Sequence, residues 1–312
     1  MILALAGGVG GARLANGLAR LLAPGELVVA VNVGDDFTHF GLDICPDLDS
    51  ILYTLAGRNN QALGWGVEGE SWAFMDEVRR LGGDDWFALG DRDLATHVLR
   101  TMWRRAGRSL SAVTAELARR RGVAQKIVPA SDDPLRSMVR TDEGELAFQD
   151  YFVRRRCQPR FLGIRFAGAE TARMAPGLAQ ALADPALAAI VICPSNPWLS
   201  IAPLLAVPGV VAALKKRKVP VVAVSPFIGG EAVKGPAAKI VRELGEKADS
   251  SALLRCYAGL VDGVLCDEAD PLAGTTEGGV ALRGADTLMA DDGGQVRVAR
   301  EALAFAADLC RR

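Results

Sequence analysis

Met1–Arg13 reads MILALAGGVGGAR, and the fold turns on how this stretch is read. Ile2–Ala6 is a short apolar run without charge. Gly7, Gly8, Gly10 and Gly11 follow at once, and Ala12–Leu22 has the spacing of an amphipathic helix. Strand, glycine turn and helix make the first half of a nucleotide-binding βα unit. Glycine suits such a turn because backbone N–H groups must come close to a phosphate. The helix start then offers free N–H groups and a positive dipole end to an anion. Gly8, Gly10 and Gly11 are therefore candidate anion-binding residues; the alternative is a plain βα turn that binds nothing. Arg13 stands where a dinucleotide fingerprint has its third small residue, and no Gly-Lys-Ser/Thr follows, so the stretch is not a P-loop.

Moving outward, Leu27–Val33 (LVVAVNV) reads as a second parallel strand, buried on both faces, with Gly34, Asp35 and Asp36 at its carboxyl end. Ligands of doubly wound sheets sit outside the carboxyl ends of strands. The acidic pair either accepts from a ribose, holds a divalent metal, or is an Asp-rich turn capping a helix. Pro46-Asp47-Leu48-Asp49-Ser50 reads as a helix start with acids in its first turn. If one of these aspartates faces the cavity of Asp36, the converging carboxylates suit magnesium bridged to a diphosphate. Asp36, with Asp47 or Asp49, is then a candidate metal ligand.

The β-type runs stop near Leu63, and arginine-rich helices take over until Gly168. Helices are predicted over 71–81, 91–106 and 109–121, and short strands near 126–128, 138–140 and 146–149. This gives residues 63–168 as an inserted helical and small-sheet cap, and residues 1–62 plus 169–312 as a Rossmann-like, doubly wound, mostly parallel α/β core. Within the cap, LGDRDLATH places Asp93 and His97 four apart on one helix face. Core strands return at 188–193, 219–224 and 263–266. Pro194-Ser195-Asn196-Pro197 offers Ser195 and Asn196 to a base or ribose. Gly235-Pro236 opens a helix with Lys239 nearby, a second candidate anion site.

The 312 residues carry a net charge of −1, with 36 basic against 37 acidic side chains, and half of them are hydrophobic. That balance excludes a general nucleic-acid or membrane footprint. The first apolar run is too short for a signal peptide and charges break every longer one, so a cytoplasmic protein is expected. Six cysteines lack C-x-x-C spacing and histidines number two, so a structural zinc site is not expected.

Taken together, AGGVGGAR, VNVGDD, ICPDLDSILYTLAG, GWGVEGESW, WFALGDRDLATH, PASDDP, FQDYFV, PSNPWLSIAPLL, AVSPFIGGEAVKGPAAK and GADTLM closely resemble the 2-phospho-L-lactate transferase family of coenzyme F420 biosynthesis. The blocks lie in order over nearly the whole chain. The resemblance implies an enzyme that joins the deazaflavin Fo to a phosphorylated three-carbon acid carried on GMP. The terminal ribityl hydroxyl of Fo attacks the phosphorus nearest the acid, and GMP leaves. The donor it implies is lactyl-2-diphospho-5′-guanosine, or the enolpyruvyl analogue in many bacteria. It also implies a magnesium requirement and a homodimer. Carried over by residue, the glycine loop holds the diphosphate, Asp36 and Asp49 hold magnesium and serve catalysis, and Ser195 and Asn196 lie by the guanosine. Asp49 matches the Fo-contacting aspartate, and Arg92 falls in the block that supplies the basic Fo contact. No residue distinguishes phospholactate, phosphoenolpyruvate and 3-phosphoglycerate as the carried acid. The excess of alanine and arginine suggests a GC-rich bacterial gene, for which the enolpyruvyl donor is the default. Two alternatives stand beside this reading. A non-enzymatic nucleotide-sugar-binding regulator would share the glycine-rich start but lack the CPDLD and GDRDLATH blocks. An NAD-dependent dehydrogenase would need the missing third glycine.

Overall fold

The computed structural model describes residues 1–232 and 235–311; Val233 and Lys234, inside the AVSPFIGGEAVKGPAAK block, lie outside the described residues. Its centre is an eight-stranded sheet. From one edge to the other it runs Thr276–Glu277, Val280–Ala285, Gly263–Asp267, Val221–Val224, Ala189–Ile192, Ile2–Ala6 (β1), Leu27–Val31 (β2) and Lys126–Pro129. All neighbours are parallel except the first pair, so this is a doubly wound α/β fold. β1 and β2 are buried at every residue, as apolar runs without alternation require when helices cover both faces. Each Val, Leu or Ile shielded there contributes about 1.5–3 kcal/mol of transfer free energy.

Helix α1 (Gly8–Leu21) leaves β1 and packs between α2 (Pro46–Leu55) and the C-terminal helix Asp292–Cys310. The predicted insertion contains α3 (Ala73–Arg80), α4 (Asp91–Arg105) and α5 (Leu110–Arg120). Ser109 caps α5 through its side chain, as its position predicts. Residues 63–168 are not wholly peripheral, however. Strand Lys126–Pro129 pairs with β2 inside the main sheet, and α5 packs on it. Conversely, Phe161–Ala167 completes a small antiparallel sheet with Arg136–Thr141 and Gly144–Ala147. That sheet docks beside β2, where Ser137 N donates to Gly34 O and Gln149 Nε2 donates to Asp35 O.

Two acids from distant segments lock α3 to α4. The Glu70 carboxylate accepts from Arg92 N and Asp93 N at the start of α4. The Asp91 carboxylate accepts from Ala73 N and Phe74 N at the start of α3. Each segment thus supplies the acid that the other's helix dipole favours.

Candidate active site

The site lies at the carboxyl ends of β1, β2 and Ala189–Ile192, where three loops meet. Gly8 has φ +62°, a conformation that favours glycine, and starts α1 directly from the strand end. Gly10 is required for a different reason: a Cβ there would meet Pro194 O at 2.2 Å. The loop after Ala189–Ile192 therefore lies against the helix start, and Ser195 Oγ accepts from Gly7 N at 3.1 Å. A carboxylate occupies the next amide, Gly8 N donating to Asp47 Oδ1 at 2.6 Å. Asp47 thus caps α1 from 39 residues away. The amides of Val9 and Gly10 have no carbonyl one turn back to bond, and they are the donors left to the helix start.

Two groups of carboxylates flank this turn. The first lies beneath it. Asn32 Nδ2 donates to Asp47 Oδ2 at 2.9 Å and to Asp35 Oδ1 at 3.2 Å, so the two acids lie together, both buried. Burial, then the charges of Asp47 and Asp36, pushes the Asp35 carboxyl well above the usual range. Burial likewise raises Asp47 to about 6, against the opposing hydrogen bonds from Asn32 and Gly8. Burial raises Asp36 to about 7, although Arg136, the Cys45 thiol and Arg100 oppose the shift. Asp36 Oδ1 is buried without a hydrogen-bond partner.

The second group is on α2 and α4, and it is paired. Arg100, only 2% exposed, forks Asp49 with both Nη atoms, Nη1 donating to Oδ2 at 3.0 Å and Nη2 to Oδ1. His97 stands between two acids, with Nδ1 at 3.7 Å from Asp49 Oδ2 and Nε2 at 3.2 Å from Asp93 Oδ1. Tyr53 OH donates to the same Asp93 oxygen at 2.5 Å. Burial alone would raise the Asp93 carboxyl; His97, Tyr53 and Arg100 outweigh it and hold it below the usual range. Asp93, His97 and Arg100 stand at spacings of four and three, one stripe of α4 facing Asp49 and Tyr53, which are themselves four apart on α2.

The sequence-predicted residues therefore divide. Gly8, Gly10, Gly11, Asp36, Asp49 and Ser195 converge at the strand ends. Asn196 does so with its side-chain oxygen already engaged, accepting from Trp198 N and Leu199 N, while its Nδ2 is buried and unpartnered. Asp49 differs from an open metal ligand, because a guanidinium occupies both of its oxygens. Asp49, Asp93 and His97 each offer a ligand atom within 4.8 Å of the others, yet Arg100 and Tyr53 already fill that space with donors. Arg92 turns its guanidinium to the 66–70 loop, Nη1 donating to Glu68 O at 3.0 Å. Arg13 Nη1 donates to Met289 O at 3.1 Å. Lys239 is bound by both Glu243 oxygens and by Pro159 O, and its helix is only Ala237–Glu243, so the second anion site is not formed there.

A cavity of about 350 Å³ opens along the same two helices. Arg13 and Asn16 of α1, Ser50 and Thr54 of α2, and the half-exposed Trp65 line it. Among the described residues no single helix is long and apolar enough to cross a membrane.

Residues 2–300 match the family model described as 2-phospho-L-lactate transferase CofD. Among curated proteins, the chain is 42% identical to a phosphoenolpyruvate transferase of Kitasatospora aureofaciens over 98% of this chain and 97% of that one. It is 39% identical to a phosphoenolpyruvate transferase of Streptomyces coelicolor over 99% and 98%. A protein of the same name from Mycolicibacterium smegmatis is 37% identical over 98% of both. Among solved structures, a UPF0052-family protein from Bacillus halodurans superposes with a TM-score of 0.63 at 15% identity, covering 97% of this chain and 98% of that one. At that identity the likeness concerns the fold.

Proposed function

The chain belongs to the 2-phospho-L-lactate transferase CofD family, and from that premise we propose that it is the transferase of coenzyme F420 biosynthesis that carries a phosphoenolpyruvyl group. The donor is a guanosine diphospho-linked three-carbon acid and the acceptor is the 5′-hydroxyl of the deazaflavin Fo. The hydroxyl oxygen bonds to the phosphorus nearest the acid, the bond from that phosphorus to GMP breaks, and the hydroxyl proton passes to solvent. The product is dehydro-F420-0, or F420-0 with a lactyl donor. What carries this reading is the family match over residues 2–300, with relatives of about 40% identity named for the enolpyruvyl transfer. A homodimer in the cytoplasm belongs to the same proposal.

The site's chemistry supports it. Phosphoryl transfer asks mainly for positioning and for neutralising charge. The first-turn amides of α1 suit the diphosphate. Ser195 keeps its hydroxyl proton for a donor oxygen, since its Oγ only accepts from Gly7. Asp36, whose Oδ1 is buried and has no partner, is the carboxylate left open to magnesium in this reading. When bound there, the ion would neutralise phosphate charge on the leaving side. Asp49 is left for the acceptor, accepting from the attacking hydroxyl and orienting it. Arg92 and the Trp65 cavity stand on the acceptor side in this reading.

The test is to incubate the protein with Fo, magnesium and each guanosine donor, and to weigh the products. Dehydro-F420-0 from the enolpyruvyl donor is expected, and loss of the reaction on chelation. Asp49→Asn is expected to abolish turnover with the fold intact. Normal turnover in that variant would remove Asp49 from the mechanism, and full rate in chelator would remove the metal.

A further inference from the structure

We infer that Arg100 is a positioning residue for the transfer step: it fixes the Asp49 carboxylate toward the acceptor hydroxyl. The inference rests on the proposed contact between Asp49 and the acceptor. It begins from burial. A guanidinium only 2% exposed in the middle of α4 is a costly feature, and the fold retains it beside the one aspartate that the acceptor would meet. Its two Nη atoms take one oxygen each of Asp49, which removes rotation about the carboxylate's last bond. Arg100 Nη1 also reaches Asp43 O at 3.3 Å, which ties the fork to the segment leading into α2.

Behind the fork stands a second layer. His97 Nδ1 lies 3.1 Å from Arg100 Nη1, and His97 Nε2 lies against Asp93, which Tyr53 OH holds from the other side. Tyr53 is on the same helix as Asp49, one turn on. The chain Asp49–Arg100–His97–Asp93–Tyr53 therefore leaves α2, crosses α4 and returns to α2. Such closure fixes the spacing of the two helices as well as one rotamer. Each carboxylate oxygen keeps a lone pair beyond its bond to Arg100, so Asp49 can still accept from one hydroxyl. Asp36 Oδ1, buried without a partner, is the oxygen left open to a metal.

Arg100→Lys keeps the charge and loses the fork. With the full-length protein, saturating magnesium and Fo, it is expected to lower kcat by about 100-fold, the scale of a misplacement near 1 Å. The donor KM should stay within about twofold, because the donor does not touch Arg100 in this assignment. A kcat equal to that of the parent overturns the inference. So does a rise in half-saturating magnesium with kcat restored at high magnesium, which would place Asp49 and Arg100 in the metal site. If Arg100→Lys does not fold by circular dichroism, His97→Gln, which removes the ring beside Arg100 Nη1, replaces it; a lower kcat with the donor KM within about twofold is expected, and a kcat equal to that of the parent overturns the inference. Asp49→Asn is measured first. Normal turnover in it removes the proposed acceptor contact itself. A dead Asp49→Asn with a fully active Arg100→Lys removes only the role of Arg100.

Discussion

Two clusters of buried acid flank one glycine turn, and they are built on opposite principles. On the α2–α4 side, Asp49 and Asp93 are matched by Arg100, His97 and Tyr53, and each acid has a donor. Beneath the turn, Asp35 and Asp47 share Asn32, Asp47 also takes the Gly8 amide and Asp36 the Cys45 thiol, yet burial raises all three carboxyls. In the first cluster the carboxylates are matched, while Arg100 Nε and His97 Nε2 are left without a hydrogen-bond partner. In the second, burial disfavours the charged form of all three carboxyls. Buried carboxyls raised in this way are common at binding sites.

The contrast can be broken at several points. The largest effect is expected from Arg100→Met. It strands Asp49 in the interior and should cost about 3–5 kcal/mol of unfolding free energy, read from urea denaturation. A loss under 1 kcal/mol, on the order of an exposed pair, would mean that the fork adds little. Asp36→Asn should act in the opposite direction. At pH 8 the metal-free protein must ionise a carboxyl that titrates near 7, and replacing it should stabilise the fold by roughly 1–3 kcal/mol. Equal or lower stability would remove the cluster's unmet need for charge.

The pH dependence should carry the same sign. Asp36 and Asp47 have folded values near 7 and 6, above the ordinary 3.8. Their contribution to stability is therefore full below about pH 4 and is lost as pH rises through 6 to 7. In chelator, urea midpoints should fall between pH 5 and pH 8, and saturating magnesium should flatten that fall. A smaller fall over this range in Asp36→Asn than in the parent would isolate the residue. Asp93, held low by its partners, contributes the reverse: stability present above about pH 4 and lost as pH falls below it. The smallest effect is expected from Tyr53→Phe, about 1 kcal/mol for one hydrogen bond whose acceptor keeps His97. No measurable change would show that His97 alone satisfies Asp93.

Much of this molecule can be read from the chain, and the unread part has a common cause. β1, its glycine turn and β2 are local patterns: apolar run, turn, apolar run. Asp93 and His97 share a face by simple spacing, and Arg100 extends the same stripe, a signal present in DRDLATHVLR. Asp47 as the cap of α1 carries no such signal, because donor and acceptor are 39 residues apart. Strand Lys126–Pro129 is short, begins with a charge and sits among arginine-rich helices, so composition assigns it to the insertion; only its pairing with β2 puts it in the core. Val280–Ala285 is interrupted by Arg283 and Gly284, which hides a core strand, although Gly278-Gly279 before it marks a hairpin. The glycines were legible as a turn, but the reason for Gly10 is the approach of Pro194, a contact between segments far apart.

The place of β1 has a consequence for synthesis. Its second neighbour begins at Ala189, so one side of the first strand to leave the ribosome has nothing to pair with until more than half the chain has been translated. At roughly 5–20 residues per second, that interval lasts about 10–40 s. Throughout it a bare apolar ribbon edge is open to other nascent chains. Premature termination before residue 189 should therefore leave aggregates rather than a smaller soluble module.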